Sequence, residues 1–268
     1  MPTDTRTAPE HWKTVASLTQ YMAGHAVMRA ADDLIRQLRI NGAQALGCEA
    51  EEIEVANCRV FSRKNPEQFI SFKDIVQGYR SKTGVSVGEP VLGQGGFMLK
   101  GLSMLDPQTG QGKTGPSWTP GVQVVEVEAD LKTCSYRIIS ASTVMDVGKV
   151  INPELMRAMV AGGMSMGISM ASREAFSYND QGIPQAPNLR TYKLLHIGQE
   201  PDYRVDFVET PESESPYGVR SYAEHGIIGI AAALGNALST AFGKELLSLP
   251  LTPERIWRSV KEDTDDSL

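Results

Sequence analysis

Two long stretches in the C-terminal half carry few charged side chains, and they set the strongest limit on the fold. One runs from Pro153 to Ala171 and is rich in Met, Ala and Gly, and the other runs from Ile227 to Phe242. Apolar segments of this length predict buried helices, because a helix that faces water keeps a polar side. Small residues in the first helix let other backbone approach closely. Its methionines are expected to fill a core or an interface.

The segments around these helices predict strands. β-Branched residues alternate in VQVVEVEADL and YRIISASTVMDVG, which predicts two paired strands, and YRVDFVET predicts a further strand. LPLTPERIW predicts a last helix with Thr252 as N-cap and Pro253 at its first position. Strands and helices follow one another without a regular βαβ order. We therefore expect an α+β fold with mixed sheets and packed helices.

The N-terminal part predicts a helix, a hairpin and a long loop. A helix is expected between Tyr21 and Leu46, with Asn41-Gly42 interrupting or ending it. EEIEVANCRVF predicts a strand or hairpin, and SFKDIVQGYR a short helix. The Gly-, Ser-, Thr- and Pro-rich stretch Ser81–Pro120 predicts a loop. The expected apolar face of the first helix consists of Val27, Ala30, Ala31, Leu34 and Leu38.

Length and charge limit the class of protein. With 268 residues, we expect one large domain, 1–268, or two packed lobes, 1–120 and 121–268. Lys and Arg total 26 against 32 Asp and Glu, a net charge of −6, which argues against nucleic-acid or anionic-membrane partners. No stretch is expected to span a membrane, and the polar start MPTDTRTAPEHW lacks a signal-peptide core. Three cysteines without CxxC spacing predict a cytoplasmic protein.

Local motifs for phosphate or metal binding are weak. GQGKTG at 110–115 is not a Walker A loop, because Pro107 stands where that motif needs its first glycine. GQGG at 93–96 is compatible with anion binding, but turn formation is the favoured interpretation. The histidines lack metal-binding spacing, and we expect no metal ligand among the side chains; they are His11, His25, His196 and His225.

Glu224 stands in unusual surroundings for a carboxylate. It precedes HG and the apolar run IIGIAAALGNAL, so it lies at or just before a helix start. One interpretation is a carboxylate that interacts favourably with the positive end of the helix dipole. The other is a base held in an apolar pocket with a raised pKa. Local sequence leaves both open.

Three blocks resemble the C-terminal portion of the molybdenum-cofactor-binding subunit in the xanthine dehydrogenase and aldehyde oxidase family. They are DVGKVINPELMRAMVAGGMSMGI, PYGVRSYAEHGIIGIAAALGNALSTAFG and LPLTPERIW, in the family's order and spacing. The middle block is similar to the family pattern PxGAKGxGE, with Ser221 and Ala223 where glycines are usual. Upstream, Ser17 to Gln20 resemble a Ser-Arg-x-Thr turn whose Arg is replaced by Leu18.

The resemblance implies roles for individual residues. Glu224 matches the family's catalytic glutamate, and the hydroxyls of Ser17 and Thr19 would meet the cofactor's pyrophosphate at a helix start. Ordinary N-capping is the alternative for that pair. Met159 and Met166 stand where relatives often carry glutamines. The full set of expected cofactor-binding residues is Ser17, Thr19, Gln20, Gly162, Gly163, Gly218, Arg220 and Ser221.

The resemblance also implies an assembly. Family molybdenum subunits are longer, so this chain resembles one half of a split subunit, as the medium subunit is in nicotinate dehydrogenase-like enzymes. Expected partners are a larger molybdenum-binding subunit, an FAD subunit and a [2Fe-2S] iron–sulfur subunit. The expected cofactor is molybdenum-molybdopterin in the cytosine dinucleotide form.

Two functions remain open from the sequence. The first is a subunit of a molybdenum hydroxylase that adds water-derived oxygen to an aldehyde or N-heteroaromatic substrate, with Glu224 as base. The second is a non-catalytic assembly or remnant subunit of such a complex, which the departures at Leu18, Ser221 and Ala223 suggest. Glu224 within its block favours the first.

Overall fold

The structure is a computed structural model that describes residues 4–6, 8 and 14–265. Most of the N-terminal segment MPTDTRTAPEHW, including His11, lies outside the described residues. The chain divides into two compact units, Met1–Thr114 and Gly115–Leu268. Each unit has its own hydrophobic core and is described by itself.

The first unit combines one long helix with two small antiparallel sheets. A π-helical turn, Thr19–Ala23, leads into helix α1, Gly24–Leu46, which ends at Gly47 in the left-handed conformation (φ 66°). One sheet contains the predicted hairpin and a third strand, and the second sheet is a separate strand pair. The elements are β1 (Ile53–Ala56), β2 (Arg59–Ser62), β3 (Asn65–Ser71), α2 (Phe72–Ile75), β4 (Gln77–Arg80) and β5 (Ser86–Pro90).

Helix α1 does not end at Asn41-Gly42, contrary to the sequence-based expectation. Both residues are buried, and a Cβ on Gly42 would overlap the Val60 side chain of β2. The glycine therefore allows close packing of α1 on β2, which compensates for its low helix propensity. The expected apolar face is only partly correct, because Val27 and Ala31 are exposed.

The packed side of α1 also carries polar side chains. They bind the backbone of residues 89–97, which we call the strap. Gln37 and Asn41 each donate to and accept from one strap residue: Gln37 bonds Leu92 at 3.0 Å in both directions, and Asn41 bonds Glu89 at 2.7 and 3.3 Å. A Cβ on Gly95 would overlap the backbone of α1. The GQGG segment thus packs against a helix.

Two further expectations for this unit need correction. The helix in SFKDIVQGYR ends at Ile75, because the next residues form β4 and pair with β5. Strand β5 lies inside the expected Ser81–Pro120 loop. Pairing between β4 and β5 decided both cases, and neither segment shows it in its own alternation.

The second unit packs helices on a three-stranded sheet. Strands β6 (Gly121–Ala129) and β7 (Tyr136–Asp146) pair antiparallel, as predicted. Strand β8 (Asp202–Val208) lies parallel to β7, and helix α3 (Pro153–Ser172) belongs to the connection between them. The remaining helices are α4 (Leu189–Tyr192), α5 (His225–Ile228), α6 (Ile230–Phe242) and α7 (Pro253–Asp265). This combination of helices and sheets is the expected α+β class.

The helix caps follow the sequence. Asn152 accepts from the backbone N–H of Leu155 at 3.1 Å and so caps α3. Thr252 accepts from the N–H of Arg255 at 3.3 Å, which confirms the predicted start of α7.

The core of the second unit lies between the sheet and helices α3 and α6. Helix α3 contributes Met156, Val160, Met164 and Ile168, all at most 1% exposed. Glycines bring α5 and α6 close to α3: a Cβ on Gly226 would overlap the Val160 carbonyl, and one on Gly167 would overlap Ile230. The small residues of α3 therefore serve helix packing, as expected.

The predicted helix Ile227–Phe242 is two helices, α5 and α6, which meet at Gly229. By length and composition alone, His225–Phe242 is apolar enough to cross a membrane, which the sequence-based expectation missed. In the fold, Ile230, Leu234 and Leu238 of this stretch are fully buried in the core of the second unit. The burial is confined to one side, because only 22% of the stretch His225–Phe242 is buried.

Candidate functional site

Glu224 lies directly before α5, with an exposed side chain and backbone angles of φ −103° and ψ 0°. Its carbonyl accepts from the N–H of Ile227 at 3.3 Å, while its side chain makes no capping bond to the helix. The second unit by itself does not enclose this carboxylate in an apolar pocket. Glu224 therefore stands at the start of a helix, which is the position that both interpretations share.

The loop before Glu224 begins with a strained turn. Tyr217 has φ 58° and Gly218 φ 76°, both in the left-handed region. A Cβ on Gly218 would lie 2.8 Å from Pro211 Cβ, so glycine is required both for conformation and for space. Two backbone hydrogen bonds of 3.0 Å stabilise this turn. The N–H of Gly218 donates to the carbonyl of Ser215, and the N–H of Glu212 donates to the carbonyl of Gly218.

Arg220 clamps this loop to its neighbours. Its Nη1 donates to the carbonyl of Trp118 at 2.5 Å, its Nε to the carbonyl of Thr210 at 3.3 Å, and its backbone N–H to Val147 at 2.8 Å. Glu212 lies 3.9 Å from the same guanidinium. The side chain expected to bind cofactor is thus engaged with protein acceptors that fix the loop.

Two hydrogen bonds fix the residues that follow Arg220. The carbonyl of Ser221 accepts from Thr119 Oγ1 at 2.5 Å, and the N–H of His225 donates to the carbonyl of Tyr222 at 3.2 Å. Burial lowers the pKa of His225, although the Tyr222 contact and the Glu224 charge act in the opposite direction. His225 Nδ1 is buried without a hydrogen-bond partner in the described part of the chain.

The two α3 glycines expected near the cofactor differ. A Cβ on Gly163 would lie 3.1 Å from Gly226 Cα, so Gly163 belongs to the contact between α3 and α5. A Cβ on Gly162 would meet nothing within 4 Å. Only Gly162 of the pair therefore leaves open space beside α3. The outward face around it is apolar and comprises Leu155, Met159, Met166 and Met170, exposed by 43–66%.

Ser17, Thr19 and Gln20 lie in the first unit, around the π-helical turn that precedes α1. Ser17 has φ 56°, and its carbonyl accepts from the N–H of Tyr21 at 3.2 Å. Leu18 stands at the N-cap position without a side-chain capping bond, and Thr19 Oγ1 donates to Thr14 Oγ1 at 3.3 Å. Thr19 and Gln20 are exposed.

Sequence reasoning missed Gln123, which lies in β6 and bonds the backbone where α5 meets α6. A signal existed: Gln123 shares its strand side with the buried Val125, and a polar residue on an apolar strand side needs partners. In the described residues, no three His, Cys, Asp or Glu side chains gather as a metal site.

Comparison with known proteins identifies the relatives of this chain. A family model described as "Molybdopterin cofactor-binding domain" matches residues 1–201. The chain is 30% identical to a putative xanthine dehydrogenase molybdenum-binding subunit XdhA from Escherichia coli (strain K12), over 95% of this chain and 32% of that protein. It is 27% identical to the 6-hydroxypseudooxynicotine dehydrogenase complex subunit gamma of Paenarthrobacter nicotinovorans, over 95% and 31%. The chain thus spans about a third of these relatives' length.

Solved structures share the fold. A Cu,Mo-CO dehydrogenase superposes with a TM-score of 0.75 at 20% identity, covering 97% of this chain and 31% of that one. Quinoline 2-oxidoreductase from Pseudomonas putida 86 gives a TM-score of 0.68 at 20% identity, covering 93% and 31%.

Proposed function

Since this chain belongs to the family of molybdopterin cofactor-binding domains found in xanthine dehydrogenases and aldehyde oxidases, we propose that it forms part of a molybdenum hydroxylase. The enzyme is an oxidoreductase that hydroxylates an aldehyde or N-heteroaromatic substrate with oxygen derived from water. A relative named as a putative xanthine dehydrogenase molybdenum-binding subunit supports the N-heteroaromatic part of this range. The activity belongs to the complete assembly.

The observation that carries the proposal is the placement of Glu224. Its carboxylate is exposed at the start of α5, on a loop that Arg220 and Gly218 hold rigidly. A general base must reach the proton it accepts and must be held in position while it does so. With the cofactor bound, Glu224 Oε would accept the proton that the water-derived oxygen loses. When bound, the molybdenum–pterin cofactor supplies the redox chemistry.

The residues expected to hold the cofactor offer it space and backbone groups. Gly162 leaves open space where any side chain would project, and the turn at Gly218 presents backbone. Gly163, Arg220 and Ser221 support the proposed site indirectly. Gly163 allows α3 to pack on α5, and Arg220 and Ser221 hydrogen-bond the loop before Glu224 to its neighbours. In the first unit, Ser17, Thr19 and Gln20 offer hydroxyl, amide and backbone groups for a pyrophosphate. We propose the cytosine dinucleotide form of the cofactor.

The apolar outward face of α3 supports a protein partner. Leu155, Met159, Met166 and Met170 are exposed along one side of a helix whose other side is buried, and a helix that is apolar all round is normally covered. We propose a larger molybdenum-binding subunit as the partner that covers these four side chains and leaves the space at Gly162 to the cofactor, with FAD and [2Fe-2S] subunits in the same complex. The three unpaired cysteines accord with a cytoplasmic location.

The test is Glu224→Gln in the assembled complex. The substitution keeps the size of the side chain and removes its ability to accept a proton, so we expect turnover to fall by at least about 100-fold. Molybdenum content, measured by elemental mass spectrometry, should stay unchanged.

Glu245→Gln is the matched control, because Glu245 is an exposed glutamate after α6, outside the proposed site. It should retain full activity. Unchanged turnover in Glu224→Gln would contradict the catalytic role and favour the non-catalytic assembly subunit.

A further inference from the structure

Helix α5 has only four residues, so it cannot fix Glu224 by its own stability. Isolated helices need many more residues to persist in water. The position of Glu224 therefore depends on what holds α5 from outside. Packing of Gly226 on α3 sets the distance between the two helices, because a Cβ on Gly226 would overlap the Val160 carbonyl. Packing alone does not determine how α5 is rotated about its own axis or at which residue it ends.

Gln123 supplies bonds to both ends of that short helix. Its Oε1 accepts from the N–H of Gly229 at 2.7 Å, and its Nε2 donates to the carbonyl of Gly226 at 2.9 Å. Nε2 also donates to Thr143 Oγ1 on β7 at 3.0 Å. Because Gly226 offers a carbonyl and Gly229 an N–H, a single orientation of the amide satisfies both.

The surroundings favour this amide. A Cβ on Gly229 would lie 2.7 Å from Gln123 Oε1, so glycine lets the amide approach the junction of α5 and α6. Thr143 is 1% exposed and also donates to Met164 Sδ at 3.1 Å, which anchors the far side of the amide to the core. A strand of the sheet is thereby connected through one side chain to the turn that carries Glu224.

We propose that Gln123 is a positioning residue for Glu224: it fixes α5 at Gly226 and Gly229 and so orients the carboxylate at the helix start. The proposal rests on the proposed function for its catalytic consequence. Gln123 acts through α5, and the structure gives it no contact with Glu224 itself.

Gln123→Met tests the proposal, since methionine has a similar length but neither donates nor accepts comparable bonds. In the assembled complex we expect kcat to fall by about tenfold or more with KM and molybdenum content unchanged, because misplacement of a base affects the chemical step. In the full chain alone, hydrogen exchange of peptides spanning residues 222–231 should become faster.

Thr143→Val is the matched control. It removes a buried hydroxyl from the same network but leaves the bonds of Gln123 to Gly226 and Gly229. Because Gln123 keeps both of its bonds to α5, we expect Thr143→Val to lower overall stability, with a smaller fall in kcat and a smaller rise in exchange in residues 222–231 than Gln123→Met causes. Gln123→Glu retains the acceptor for Gly229 and should restore part of the exchange protection.

The outcomes separate the two ideas. Unchanged exchange in Gln123→Met would overturn the positioning role, whatever the enzyme does. Equal loss of kcat in Gln123→Met and Thr143→Val, or loss of molybdenum from both, would also overturn it in favour of general stability. Should Glu224→Gln keep full turnover, the proposed function fails, while faster exchange in Gln123→Met would still show that Gln123 fixes α5.

Discussion

Among single residues, Arg220 shows why a side chain's identity does not reveal its role. The family resemblance places Arg220, in the block that precedes Glu224, among the expected cofactor-binding residues. In the fold, its guanidinium bonds the carbonyls of Trp118 and Thr210. Trp118 is far from Arg220 in the sequence, and Thr210 lies outside any helix or strand. Only the tertiary structure therefore brings these two carbonyls to the guanidinium. Its contribution to the site is the rigidity of the loop.

His225 leads to a prediction about pH. Its pKa is lowered by burial, so the folded state resists protonation while the unfolded state charges near pH 6.5. Stability associated with the neutral imidazole is complete above about pH 6.5 and is lost as pH falls through the lowered folded pKa. We expect His225→Gln to flatten the decrease in unfolding free energy below about pH 6.5, as measured by urea denaturation at a series of pH values.

His196 is the control for this effect, because it is exposed. His196→Gln should leave the pH profile close to that of the original protein. An identical profile for His225→Gln would show that other groups govern acid stability.

At the level of elements, α3 offers a matched pair of glycines. A Cβ on Gly167 would overlap Ile230, whereas one on Gly162 would meet open space. We expect Gly167→Ala to destabilise the protein by about 1–3 kcal/mol through overpacking. Gly162→Ala should stabilise it by up to about 1 kcal/mol, since alanine favours helix. Urea denaturation of both variants gives the measurement, and equal effects would contradict the packing described.

The elements that could be predicted are those whose pattern is local. The alternation of β6 and β7, the apolar length of α3 and the Thr252-Pro253 start of α7 each contain the information within their own residues. β5 could not be predicted, because its hydrogen bonds come from β4 across a turn. The break at Gly229 depends on Gln123, which is distant in sequence.

In the candidate site too, the sequence predicts the features that have a local pattern and misses those that depend on the tertiary structure. Glu224 was found from its block and its apolar downstream run, and its place at a helix start agrees with that pattern. Its exposure could not be predicted, since enclosure depends on other elements and chains. The hydrogen bonds from Gln37 and Asn41 of α1 to the strap were also missed. Amide side chains on a helix are ordinarily expected to face solvent.

At the level of the whole molecule, the two separate cores predict two unfolding events. Ile53 and Leu234 are both fully buried, the first in the core of unit one and the second in that of unit two. Each replacement by alanine should cost about 2–5 kcal/mol. We expect calorimetry to resolve two transitions, with Ile53→Ala lowering one and Leu234→Ala the other.

A single transition that both substitutions lower equally would contradict this prediction. It would mean that the two cores unfold as one cooperative unit. Circular dichroism at two wavelengths gives an independent check, because probes of a single two-state transition coincide.

The parallel pairing of β7 with β8 has a consequence for the order in which the second unit assembles. β6 and β7 are joined by a tight turn at Asp130–Ser135 and can meet early, whereas β8 must wait until the whole connection through α3 has closed into a loop. Pairings between residues far apart in sequence form slowly, because the chain loses entropy before it gains contacts. During synthesis the exposed edge of β7 therefore stays vacant until Val208 has left the ribosome. Refolding of this unit should be limited by that late docking step.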